Sequence, residues 1–168
     1  MIAYRKLALL TLALMTPVAC TTVVVEGPVA ALGAQLSVER FLTAANQGDY
    51  TSMGRLFGTQ HGPVMDTGST FGCAFKKIGS WFGGSSCVKR QDVEVRMDAI
   101  AAILRHEDYR VISESRVAGR DAVTTRVLVD MTTVQGVSVS NVPFVVVQSG
   151  GGRWLIEQVD LQMVMAAR

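Results

Sequence analysis

Residues 109–161 hold four runs rich in Val, Ile and Thr, parted by turns that each carry glycine. YRVISESRV leads into Ala118-Gly119-Arg120-Asp121, AVTTRVLVDMTT into Gln135-Gly136, and VSVSNVPFVVVQ into Ser149-Gly150-Gly151-Gly152. RWLIEQVDL closes the series. β-Branched side chains suit a pleated surface, and glycine takes the backbone angles of tight reversals. Consecutive runs of this kind predict a four-stranded antiparallel meander. In the second run Val123, Thr125, Val127, Val129 and Met131 fall on one face. In the third the alternation slips between Val139 and Phe144, around Asn141-Val142-Pro143. A β-bulge there accounts for both the slip and a proline inside a strand.

A sheet with one apolar face needs a cover, and the preceding residues supply helices. Val38, Phe41, Leu42 and Ala45 recur at helical spacing over residues 34–47. Gly48 then suits a left-handed helix end and Asp49 the cap of a second helix, in which Tyr50, Met53, Leu56 and Phe57 share a face. A third helix is predicted over residues 92–106, with Met97, Ile100, Ala101, Ile103 and Leu104 buried and Arg96, Asp98 and Arg105 in water. His106 falls at its C-terminal end, where an imidazolium complements the helix dipole. The expected class is α+β: two to three N-terminal helices packed on a strongly bent four-stranded antiparallel meander, a cone or half-barrel. Residues 34–168 read as one domain, within the size a single core supports.

The N-terminus has a different character. Arg5 and Lys6 precede an apolar run over residues 7–15, then Thr16-Pro17-Val18-Ala19-Cys20. That run falls short of the roughly 20 residues a spanning helix needs, and residues 1–19 read as a secretory signal peptide. Pro17-Val18-Ala19-Cys20 resembles a bacterial lipobox, with Pro17 where Leu is usual. Under that reading Cys20 becomes a lipidated N-terminus and residues 20–33 a tether. The other reading is ordinary cleavage that leaves a free thiol. The three cysteines favour lipidation, because they leave Cys73 and Cys87 as an even pair for a disulfide in an oxidising compartment. The expected location is the cell envelope, lipid-anchored. Thr21, where Asp would signal inner-membrane retention, points to the periplasmic face of the outer membrane. Without Arg5 and Lys6 the 16 basic residues become 14, equal to the acidic ones. No basic stripe with interleaved aromatics remains, so nucleic acid is not an expected partner.

Residues 58–88 lose periodicity and fill with Gly, Ser and Thr. An aperiodic stretch of that length is usually functional or pinned. A Cys73–Cys87 bridge would pin it, at about 3 kcal/mol for a loop near 15 residues. Inside the bridge Trp81 and Phe82, with Phe71, Phe75 and Ile78 nearby, crowd around Lys76 and Lys77. Exposed, such a set suits a membrane surface or a partner protein; buried, it caps the open end of the sheet.

Two segments, FLTAANQGDY at residues 41–50 and GRWLIEQV at residues 152–159, resemble the nuclear transport factor 2 superfamily. There a helix ending in Gly-Asp and a closing strand with an aromatic after a Gly turn recur. The resemblance covers residues 35–162 and implies a cone-shaped α+β domain. Residues 58–88 depart from the pattern. Members of that superfamily include isomerases, cyclases and dehydratases as well as binding modules, so fold alone does not assign chemistry.

The two histidines, His61 and His106, lack metal-ligand spacing, and no metal or cofactor is expected. No nucleophile-elbow, Walker or dinucleotide pattern occurs. The catalytic candidates are acid–base groups able to reach a cone interior: Glu157, Tyr50 and Asp130, with His61 and Asp66 behind them. Glu157 shares its alternation with Leu155, Val159 and Leu161, so it is expected either in a pocket or at a rim. Two functions follow. One is a non-catalytic envelope module binding a small apolar ligand or another envelope protein. The other is an isomerase- or cyclase-type enzyme working inside the cone.

Overall fold

The computed structural model describes residues 33–66 and 90–167. The lipobox with Cys20, the pair Cys73 and Cys87, and Lys76, Lys77, Trp81 and Phe82 lie outside the described residues. The order is α1 (Ala34–Gln47), α2 (Tyr50–Leu56), β1 (Gly58–Thr59), β2 (Gly62–Pro63), a 3-10 turn (Val64–Asp66) and α3 (Arg90–Leu104). Then come β3 (His106–Arg116), β4 (Thr124–Thr133), β5 (Ser138–Gln148), β6 (Trp154–Val159) and α4 (Leu161–Ala166). β3 to β6 form an antiparallel sheet in sequential order. Helices packed on a four-stranded antiparallel meander are the architecture the periodicities imply.

The α1–α2 corner forms as its residues dictate. Gly48 sits at φ 68°, where a Cβ would be strained, and its amide closes onto the Ala44 and Ala45 carbonyls. Asp49 caps α2: Oδ1 accepts from the Ser52 amide at 3.0 Å and Oδ2 from the Ser52 hydroxyl at 2.5 Å. Those two bonds, the side-chain one first, hold the Asp49 carboxyl below its ordinary range.

Val38, Phe41 and Leu42 of α1 are fully buried with Met53 of α2, Leu104 of α3 and Val127, Val129, Val142, Phe144 and Ile156 of the sheet. The Ser37 hydroxyl donates to the Trp154 carbonyl at 2.8 Å and ties α1 to β6. The expected bulge in β5 is present. Val129 pairs with Val142 and Met131 with Val139, so Asp130 faces both Ser140 and Asn141. Asn141 stands at φ 57°, and its amide donates to Asp130 Oδ1 at 2.8 Å.

Several expectations need correction. α3 ends at Leu104, and His106 opens β3 instead of closing a helix. It is 6% exposed. Its Nδ1 lies 2.8 Å from the Leu104 carbonyl, which makes Nδ1 the donor, and its amide donates to Asn46 Oδ1 at 3.1 Å. From the head of β3 this histidine joins α1 to the sheet through Asn46, while its ring still bonds the last carbonyl of α3. β6 stops at Val159, and residues 161–166 form a helix capped by Asp160, whose Oδ1 accepts from the Met163 amide. The aperiodic stretch also begins folded. Gly58 packs so tightly on Gly62 that a Cβ there would sit 2.4 Å from the Gly62 carbonyl oxygen. Only glycine lets the β1–β2 ribbon close.

Candidate functional site

β6 carries a bulge as well. Val145 pairs with Gln158 and Val146 with Ile156, which leaves Glu157 as the unmatched residue. The extra residue resets the alternation: Ile156 and Val159 pack on the main core, whereas Leu155 stands outside it. Glu157 therefore does not share a face with Val159 and Leu161, contrary to the period-two reading. A bulge re-aims side chains, and here it places Glu157 against Arg120. Glu157 Oε2 lies 2.6 Å from Arg120 Nη2, the two side chains being 22% and 40% exposed.

Arg120 belongs to the connection between β3 and β4, while β5 lies between β4 and β6. The Val117 amide donates to the Thr124 carbonyl and the Gln148 amide to the Val123 carbonyl, so the ladder holds the base of this connection. Strands lie about 4.8 Å apart, so turn and side chain together span about 10 Å across β5. Thr124, Val147 and Leu155 form one row across β4, β5 and β6, facing away from the helices, and are 0%, 1% and 0% exposed. Val147 and Leu155 do not belong to the main core.

The turn at residues 59–61 approaches from the other side. The Gly150 amide donates to the Gln60 carbonyl at 3.2 Å, and Arg153 pairs with Asp66 at 3.2 Å. This turn, the 119–122 connection and Glu157 enclose a polar surface cleft of about 430 Å³, with His61, Arg120 and Asp121 on its walls. Of the sequence candidates, Glu157 and His61 meet here. Asp66 stays with Arg153.

The other two candidates lie elsewhere. Tyr50 is hydrogen-bonded to Asp98, which raises its pKa, assisted by partial desolvation and by the Asp98 charge. Asp130 accepts from Asn141 and pairs with Arg110 at 3.6 Å on the sheet face turned from the helices. Tyr50, Asp130 and Glu157 thus have three separate sets of partners. Among the described residues no group of three or more His, Cys, Asp or Glu is arranged to hold a metal ion. Arg120 is the member of the site that sequence reading missed. It reads as an ordinary turn residue, and no local pattern links residue 120 to residue 157.

The sequence matches no protein-family model and no curated protein.

Proposed function

We propose that this chain is a binding module of the bacterial cell envelope, without catalytic activity, built as a nuclear transport factor 2-like cone and held to the membrane by lipid on Cys20. Its ligand is a small apolar molecule or a neighbouring envelope protein. The observation that carries the non-catalytic reading is the separation of the acid–base groups. Tyr50, Asp130 and Glu157 each answer to a different partner, and the helix-facing interior is filled by Phe41, Leu42, Met53 and Phe144 at full burial. Acid–base chemistry inside the cone needs such groups converging on one reacting atom. The two candidates that share a cleft, Glu157 and His61, lie at the surface instead, with Glu157 paired to Arg120. The anchor rests on the N-terminal pattern, and two or more acyl chains would hold the protein firmly. Cys73 and Cys87 are then left to pair with each other.

Native mass spectrometry of protein purified from its own envelope tests the reading. The expected species starts at acylated Cys20, carries no free thiol, and retains a bound small molecule or a stoichiometric protein partner. An unmodified Cys20, or a mature start elsewhere, overturns the anchor. Turnover of an isomerisation or cyclisation substrate that Glu157→Gln abolishes overturns the non-catalytic reading.

A further inference from the structure

We infer that a second copy of this chain docks on the sheet face turned from the helices, about a two-fold axis, with Arg126 of each copy on Asp160 of the other. The inference goes beyond the binding-module reading and depends on neither its ligand nor its lipid anchor.

On that face Arg126, Val145 and Gln158 stand in one row across β4, β5 and β6, and Leu128 and Pro143 stand together in the next. The Asp160 amide donates to the Pro143 carbonyl, which puts Asp160 at the end of the second row. Leu128, Pro143 and Val145 are apolar, yet each is only partly buried. Met163 of α4, 38% exposed, joins them around a cleft of about 360 Å³ that Arg126, Gln158 and Asp160 also line. This apolar strip therefore meets water in the single chain.

The charges at its two ends point to the occupant. Arg126 is exposed and, among the described residues, enters no ion pair. Asp160 accepts from the Met163 amide through Oδ1 and likewise has no cationic partner among them. The two stand on opposite sides of β5, roughly 10 Å apart at two strand spacings, with the apolar strip between them. A two-fold contact brings a surface onto itself, so a patch with a cation at one end and an anion at the other is its own complement. With the axis crossing β5 between Val145 and Pro143, each Arg126 reaches the partner's Asp160, and Leu128 comes against its counterpart. A partner of uniform charge would satisfy only one of the two ends.

The strand edges are poorly suited to the same purpose. The register of β3 slips between His106 and Asp108 and again between Val111 and Ser113. The far side of β6 is bridged by Phe57 at Ile156. Irregular or covered edges resist pairing with another chain, which leaves the open face.

Sedimentation equilibrium over a range of concentrations tests the inference on the full chain carrying Cys20→Ser, which removes membrane attachment as a cause of association. A monomer–dimer equilibrium is expected. Arg126→Asp and Asp160→Lys should each weaken it about tenfold, because each sets two like-charged contacts in the dimer. Mixed one to one, the two variants should dimerise again, since every contact then pairs opposite charges. Damage to the fold of either variant could not produce that recovery. Asp160 also caps α4, so near-ultraviolet circular dichroism checks each variant. If Asp160→Lys is not folded, Val145→Lys, which leaves the cap alone, takes its place and should be monomeric. A chain monomeric throughout, a dimer indifferent to Arg126→Asp, or folded variants that stay monomeric when mixed overturn the proposal. In the first case a foreign protein cross-linked through this face in the envelope would be the occupant instead. None of these results bears on acylation of Cys20 or on a retained ligand, so the two readings fail separately.

Discussion

Arg120 and Glu157, joined at 2.6 Å, bridge two strands that are not neighbours. The contact ties the start of β4 to a bulge in β6 over the intervening β5. Both side chains retain water contact, so the pair contributes about 0.2–1 kcal/mol. A double-mutant cycle on Arg120→Ala and Glu157→Gln by urea unfolding should give a coupling in that range, falling in high salt. A coupling near zero at low salt would mean the two groups do not meet in solution.

Asp49 gives the fold a defined acid sensitivity. Its carboxyl titrates below its ordinary value of 3.8 because the charged form accepts two bonds from Ser52. A depressed folded value means the stabilisation is present above pH 3.8 and disappears as pH falls through the folded value. Asp49→Ala should cost about 1 kcal/mol at neutral pH. Its stability curve should converge on that of the parent in acid; parallel curves down to the lowest pH would contradict the assignment.

Asn141 holds φ 57° in the β5 bulge, with its amide on Asp130. Asparagine tolerates this region and a β-branched residue does not, so Asn141→Val should destabilise by about 1–3 kcal/mol while Asn141→Gly stays near neutral. Thermal unfolding compares the two. Equal loss from both would point to the Asn141 side chain rather than to the backbone.

Phe144 is fully buried where β5 meets the helices. Truncation to alanine should cost about 3–5 kcal/mol, measured by denaturant midpoint at constant slope. Val145, one residue on, is only partly buried on the other face and lines a surface cleft. Val145→Ala should cost well under half as much. Comparable losses would mean the two faces are packed alike.

Sequence determined what local chemistry can determine. The Val/Ile/Thr runs and their Gly turns specify the meander, because side chains and reversals act over a few residues. Gly48-Asp49 specifies the corner between α1 and α2 for the same reason, and Pro143 beside a phase slip marks the β5 bulge. The bulge at Glu157 left no such mark: LIEQV alternates imperfectly, with neither Pro nor Gly to flag an extra residue. Only the pairing with β5 decided which side Glu157 takes. His106 likewise satisfied a helix-end pattern until Asn46, far away in the chain, supplied a partner that fixed it at the head of a strand. The union of Arg120 with Glu157 belongs wholly to the tertiary structure. It depends on the path of a turn over the sheet, and a contact between distant residues leaves no imprint on the periodicity of either segment.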